Sequence, residues 1–376
     1  MRLRRLRRGL PAKSVTLVGL RGVGKTVLLD AARRKAEDDG LYTVRTEAPE
    51  NRSLPALLAP PLRLALLHLS KMDAARAAAV RGLRALAGFA GKLKIKFKDI
   101  EVGLDYDPEP GLADNGDLEV DLATLLAQVG VAARAAKTAV VIFVDELQYV
   151  EQPQLAALIA ALHRCAQDRL PVTVIGAGLP QLRGRMGEAK SYAERLFDFP
   201  AIGPLGPSDA ADAIVRPAEN EGVAIEDAAL NEILAKAQGY PYFLQEWGKH
   251  AWDIAAASPI RLQDVLDASD EAIAALDEGF FRVRFDRLTP SEKRYLRAMA
   301  ELGAGPHRSG DIAGALGRSV SSLGPTRASL IAKGMIWSPT HGDTAFTVPL
   351  FDEFMRRIMP GGEWKQGQDA RGPGPV

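Results

Sequence analysis

The sequence predicts an α/β fold in which a parallel sheet, built around a glycine-rich loop, is followed by a helical segment and a small terminal unit. Three observations predict it. Short apolar, β-branched runs alternate with helical patterns as far as about residue 206, the mark of parallel strands joined by crossover helices. The stretch GLRGVGKT, Gly19–Thr26, stands between one such run and the start of a helix. From Pro207 to about Gly279 the pattern is wholly helical.

The elements follow in order. Val15–Val18 alternates poorly and is apolar or β-branched, as a strand buried on both faces should be. A helix is expected from about Lys25 to Asp39, then a strand over Leu41–Glu47. A long insertion, about 50–136, comes next: its Ala/Leu/Arg-rich part from Leu54 to Ala90 reads as helical. In GKLKIKFKDIEVGLDYD, Gly91–Asp107, apolar residues alternate with Lys94, Lys96 and Lys98 and then with acids. Period two on either side of Lys98-Asp99 predicts a β-hairpin at 92–106, whose charges either pair across its strands or meet a partner or DNA. Asp107–Asp117 is a loop by its Pro, Gly, Asn and Asp content, and a helix returns from Leu118 to about Ala136. Val140–Val144 and Val172–Ile175 are further strands, separated by a helix over Gln154–Gln167.

Composition narrows the function. Lys and Arg number 48 against 47 Asp and Glu, a net charge of +1, so no whole-molecule field draws in nucleic acid or membrane. Cys165 is the single cysteine and the five histidines are scattered, which excludes a disulfide framework and a Cys/His zinc site and fits a reducing, cytoplasmic setting. No uncharged apolar run approaches the roughly 20 residues of a membrane span. MRLRRLRRGL has five arginines; a solvated, fraying terminus is the reading, with phosphate binding as the alternative.

GLRGVGKT satisfies G-x-x-x-x-G-K-[ST] with a strand before and a helix after. Gly19, Gly22 and Gly24 let the backbone approach closely, so that amides around Val23, Thr26 and Val27 cradle phosphate at a positive helix end. Lys25 reaches the β- and γ-phosphates, and the Thr26 hydroxyl ligates Mg²⁺. VVIFVDELQ, Val140–Gln148, supplies the acids: Asp145 for the metal, Glu146 to orient the attacking water.

With these motifs, the strand VTVIGAGLPQL (Val172–Leu182), ERLFDFPAIGPL (Glu194–Leu205) and GYPYFLQ (Gly239–Gln245), residues 14–280 resemble the AAA+ superfamily of P-loop ATPases. The resemblance is to its archaeal-ATPase and replication-initiator branch, with STAND-like features. It implies a Walker A and a Walker B motif, a parallel sheet of order 5-1-4-3-2, a core over 1–206 and a helical lid over 207–280 closing on ATP. It also implies that Arg195 reaches a neighbouring subunit's γ-phosphate and that Pro241 lies against adenine; otherwise Arg195 is a surface arginine and Pro241 merely parts two lid helices. The sequence departs from the pattern at Gly176-Ala177-Gly178, which offers no polar γ-phosphate sensor. Gln148 or Gln181 supplies one or none exists, and Arg216 is the candidate for the missing lid arginine.

Residues 288–360 resemble a winged helix. Thr289 caps a helix with Pro290 at its first position and Glu292 at its third. Arg308–Leu316, Val320–Lys333 and Gly334–Val348 read as helix, second helix and β-wing, the second helix interrupted near its start by Gly324-Pro325. Leu323, Leu330 and Ile331 face inward, while Arg318, Thr326, Arg327 and Lys333 are the candidates for phosphates or bases of duplex DNA. Residues 361–376 are expected to be disordered.

The expected function is therefore an ATPase using ATP and Mg²⁺ as a nucleotide-dependent switch, with the winged helix placed on DNA and turnover dependent on homo-oligomer assembly through Arg195. The alternative is a STAND-like regulatory ATPase of slow turnover, whose insertion and winged helix bind a protein partner. A metabolic kinase fits less well, since the lid shows no small-substrate pocket.

Overall fold

The computed structural model describes residues 2–8, 10, 12–48, 53–92 and 106–365. These fall into two compact units, one of residues up to Gly19 with Lys25–Ile202, the other of Leu20–Gly24 with the chain from Gly203 onward.

In the first unit the order is α1 (Arg2–Arg7), β1 (Ser14–Val18), α2 (Lys25–Asp38), β2 (Tyr42–Glu47), α3 (Leu54–Ser70), α4 (Arg76–Lys92), α5 (Leu118–Ala135), β3 (Val140–Asp145), α6 (Gln152–Gln167), β4 (Val172–Gly178), α7 (Leu182–Ala189), α8 (Ala193–Leu196) and β5 (Phe197–Asp198). The five strands are parallel in the order β2-β3-β4-β1-β5, the expected 5-1-4-3-2 read from the other edge. Every residue of β3 is buried. Val140, Ile142 and Val144 enter the core shared with α3 to α7, while Val141 and Phe143 join Leu29 and Ala36 of α2. Two covered faces explain an unbroken apolar run.

Two expectations change here, and a third falls outside the described residues. β4 extends through Gly176, Ala177 and Gly178, which align with Thr16, Leu17 and Val18 of β1; pairing to a central strand holds residues of low strand propensity. The N-terminus does not simply fray: it forms α1, with Leu6 only 5% exposed and the Arg7 guanidinium donating to the carbonyls of Lys137 and Asp39. The hairpin foreseen at 92–106 lies outside the described residues apart from its two ends, Lys92 closing α4 and Tyr106.

The second unit holds α9 (Pro207–Asn220), α10 (Asp227–Ala237), α11 (Pro241–Ile254), α12 (Leu262–Ala275), a π-helical turn over Leu276–Phe281, α13 (Arg282–Phe285), α14 (Pro290–Glu301), β6 (His307–Arg308), α15 (Ser309–Leu316), α16 (Val320–Ala332), β7 (Ile336–Trp337), β8 (Asp343–Phe346) and α17 (Phe351–Ile358). One core runs through it, and its centre is aromatic: Phe281 meets Phe243 of α11 at 6.1 Å and Phe351 and Phe354 of α17 at 5.8 and 5.3 Å between ring centres. β6, β8 and β7 form an antiparallel sheet in that order.

At the start of α14 the Thr289 side chain accepts from the Glu292 amide, and the Glu292 carboxylate accepts from the Thr289 amide at 2.7 Å, the reciprocal cap the sequence predicts. α16 is not interrupted. Pro325 sits inside a continuous helix, because proline removes one backbone donor while buried Leu323 and Leu330 hold the turns on either side. The ordered chain also runs beyond residue 361: Glu363–Lys365 makes a 3-10 turn that buries Trp364 beneath the Arg297 guanidinium, 5.0 Å from the ring centre.

Candidate functional site

The carboxyl ends of β1 and β3 lie two strands apart in the sheet, with β4 between them, where open α/β sheets bind ligands. The loop leaving β1 turns at Gly22 and Gly24, whose φ angles are +82° and +85°. A side chain at either position would strain that backbone. α2 begins at Lys25, and its first turn is open: Thr26 is exposed and Val27 is 67% exposed. A helix end in this state presents backbone amides and a positive dipole to an anion.

Lys25 is 8% exposed, and its ammonium donates back to the Gly19 carbonyl at 3.0 Å. The Thr26 hydroxyl donates to Asp145 Oδ2 at 2.7 Å, while Asp145 Oδ1 accepts from the Glu146 amide at 2.8 Å. Both carboxylate oxygens are thus fixed, and the residue is 6% exposed. The structure therefore brings Lys25, Thr26, Asp145 and Glu146 to one end of the sheet within the first unit. A hydroxyl beside a single carboxylate is an oxygen donor set that suits Mg²⁺, which is commonly held by one or two carboxylates together with substrate phosphates. Among the described residues no cluster of three or more His, Cys, Asp or Glu forms a metal site of another kind.

Glu146 adopts the left-handed conformation, φ 54° and ψ 36°, immediately before a 3-10 turn over Leu147–Tyr149. Its carboxylate accepts from the Gln148 side-chain Nε2, and the Gln148 side-chain Oε1 accepts from the Leu179 amide at 3.1 Å. Sequence reasoning offered Gln148 only as a sensor; its bond to Glu146 had no signal in spacing.

The bare end of β4 has a steric cause. A Cβ at Gly176 would overlap Leu147 Cδ1, and one at Gly178 would come within 2.8 Å of Gln148 Oε1 and 2.6 Å of Leu182 Cδ2. Side chains from the turn after β3 fill the space that a β4 side chain would need. Gln181, the other candidate sensor, sits at the N-cap of α7 with its Oε1 buried and not hydrogen-bonded.

Arg195 is exposed on α8, beside Lys13, Arg169 and Leu162 around a cavity of about 220 Å³ at the amino ends of β1 and β4. This is the opposite edge of the sheet from Thr26 and Asp145, so Arg195 does not join the site of its own unit. In the second unit Pro241 opens α11; a Cβ at Gly24 would lie 3.9 Å from Pro241 Cγ, and the Tyr242 amide donates to the Gly22 carbonyl at 3.3 Å. Arg216 is paired with Asp212 four residues earlier on α9.

Of the four residues expected to meet DNA, Arg318 is exposed before α16 and Thr326 is half-buried. The other two are engaged within their own unit. Arg327 donates to Thr344 Oγ1 at 3.0 Å and to the Asp343 carbonyl at 3.1 Å, tying α16 to the β7–β8 hairpin. Lys333 donates to the Arg287 carbonyl at 3.1 Å and to Glu292 at 2.7 Å. Glu292 also accepts from Ser329 at 2.7 Å; burial alone would raise its carboxyl, but the bonds from Lys333, Ser329 and Thr289 hold it at about 2. Burial pushes the Cys165 thiol the other way, up to about 12.

Comparisons with known proteins agree with this geometry. The AAA ATPase domain family matches residues 2–175, and a domain of unknown function, DUF8462, matches residues 278–355. No curated protein matches the chain. Among solved structures it is similar to the Walker-type ATPase PABY2304 of Pyrococcus abyssi, at 17% identity and a TM-score of 0.56 over 94% of this chain and 94% of that one. Weaker similarity extends to the RuvB Holliday junction branch migration motor of Thermotoga maritima, at 17% identity and a TM-score of 0.44 over 94% of this chain and 90% of that one. Orc1 of Aeropyrum pernix, solved in complex with DNA, gives 14% identity and a TM-score of 0.46 over 95% of this chain and 89% of that one. The loop at Gly19–Thr26 and the Asp145–Glu146 pair both lie within residues 2–175, the stretch that matches the AAA ATPase domain family.

Proposed function

We propose that the protein binds ATP with Mg²⁺ and hydrolyses it as a nucleotide-dependent switch that sets the placement of a winged helix on DNA. The observation that carries the ATPase reading is the fixed constellation of Lys25, Thr26, Asp145 and Glu146 at the carboxyl edge of the sheet. Gly19, Gly22, Val23, Gly24, Thr26 and Val27 would cradle the phosphates, Pro241 would lie against the base, and Thr26 and Asp145 would hold the metal. Mg²⁺ held by Thr26 and Asp145 would help neutralise the charge on the phosphates. Lys25 exchanges its bond with the Gly19 carbonyl for phosphate oxygen, and Glu146 orients the attacking water. Arg195, at the far edge of the sheet, would serve a neighbouring subunit's site rather than its own.

The lid is assigned to 207–280 and the winged helix to 288–360, with α15 and α16 as the helix pair and the β7–β8 hairpin as the wing. Arg318 and Thr326 supply the groove contacts, and Arg327 and Lys333 act mainly by holding the wing and α14 in place. That two of the three candidate cations, Arg327 and Lys333, are bonded within the unit favours the second reading, in which ATP is turned over slowly and this unit holds a protein partner.

Two measurements decide. ATP binding with Mg²⁺ should be lost in Lys25→Ala and retained in Glu146→Gln, whose turnover should fall to background; binding unaffected by Lys25→Ala would refute the site. DNA affinity should fall steeply with salt if several phosphates are contacted, and a flat or absent response would select the protein partner.

A further inference from the structure

The Gln148 side chain joins the proposed catalytic carboxylate to the neighbouring strand. Its amide nitrogen donates to Glu146 Oε2, and its amide oxygen accepts from the backbone of Leu179, the residue after β4, at 3.1 Å. Gln148 is only 6% exposed, so water competes poorly for either bond. Its own backbone is clamped as well: Arg185 of α7 donates through one guanidinium nitrogen to the Gln148 carbonyl and through the other to the Val150 carbonyl at 2.8 Å. Gln152 in turn donates to the Arg185 carbonyl at 2.9 Å. Burial lowers the affinity of that guanidinium for its proton, yet an arginine remains charged at any ordinary pH. The absence of a Cβ at Gly178 is what admits the Gln148 amide.

A side chain whose two ends are committed to a carboxylate and to a backbone amide is not available as a separate γ-phosphate sensor. We propose that Gln148, backed by Arg185, is a positioning residue for the ATPase reaction: it fixes the Glu146 carboxylate against the end of β4, so that the orientation of the attacking water depends on both strands. The inference rests on the assignment of Glu146 above. Glu146 stands in a left-handed backbone conformation in the turn after β3, outside the regular strand that would fix it, and a small misplacement of a catalytic group can cost roughly 100-fold in rate.

The discriminating variant is Gln148→Glu, which is isosteric, keeps an acceptor for the Leu179 amide and replaces the donor facing Glu146 with a second carboxylate oxygen. Gln148→Ala is the companion. Single-turnover hydrolysis should fall about 10- to 100-fold in both, with affinity for a fluorescent ATP analogue within about twofold of the parent's. In a Glu146→Gln background the same changes should add no further loss, because a positioning residue acts only through what it positions. Turnover within twofold of the parent, or an equal further loss in the Glu146→Gln background, overturns the proposal.

Hydrogen exchange gives a readout independent of catalysis. Glu146→Ala removes the acceptor at one end of the brace and should speed exchange at the Leu179 amide at least about tenfold, a loss of protection worth about 1.4 kcal/mol. Unchanged exchange there overturns the brace, whatever the turnover. A parent protein that binds ATP without hydrolysing it, but shows this exchange coupling, would refute the ATPase reading and leave the brace standing.

Discussion

Replacing Glu292 by glutamine tests the electrostatics of the C-terminal unit with a change of almost no volume. The carboxylate is 3% exposed and accepts from Lys333, Ser329 and the Thr289 amide, each at 2.7 Å. Those donors hold its carboxyl at about 2, against an ordinary value of 4.5. The sign follows from linkage: a carboxyl depressed in the folded state adds stability that is fully present above the unfolded value and is lost as pH falls toward the folded one. The displacement corresponds to about 3 kcal/mol at neutral pH and to about 1 kcal/mol near pH 3. Glu292→Gln should therefore lower stability by about 2–3 kcal/mol at pH 7, with the gap closing as the pH is brought toward 2. All four tryptophans, Trp247, Trp252, Trp337 and Trp364, belong to the second unit, so urea unfolding followed by tryptophan fluorescence reports on that unit. Equal stability of parent and variant at pH 7, or a gap that stays constant between pH 7 and pH 3, would refute the argument.

Further outcomes follow from the first unit. Arg195→Ala should leave ATP affinity unchanged yet lower steady-state turnover by about 1000-fold at concentrations where the parent assembles; a variant as active as the parent would reduce Arg195 to a surface residue. Cys165 is fully buried and its thiol lies near 12, so iodoacetamide should leave the native protein unmodified by mass and alkylate it only in denaturant. Rapid native alkylation would show that α6 opens.

Much of this was legible because some segments obey a single physical constraint. β3 is buried on both faces, and its unbroken apolar run ending in Asp-Glu announces both the strand and a candidate site at its end. The Gly19–Thr26 loop needs two left-handed glycines and a lysine, and each is visible as a letter. The reciprocal cap at Thr289 and Glu292 is likewise local. What escaped depends on distant partners. Gly176-Ala177-Gly178 at the end of β4 reads as the loss of a sensor until Leu147 and Gln148 are seen to fill the space. Arg327 and Lys333 sit where groove contacts are expected by spacing, but the β7–β8 hairpin and Glu292 capture them, and both captors lie elsewhere in the sequence. Pro325 reads as a break because propensity is local, whereas the helix around it is held by burial.

The left-handed backbone at Glu146 sets stability and chemistry against each other at one position. An L-residue in that region is disfavoured by about 1–2 kcal/mol, a penalty that glycine avoids and asparagine softens. Either replacement should yield a sturdier and idle protein. A screen that rewards thermal resistance alone would therefore drift toward discarding the acid on which hydrolysis is proposed to depend, and a screen for turnover would restore it.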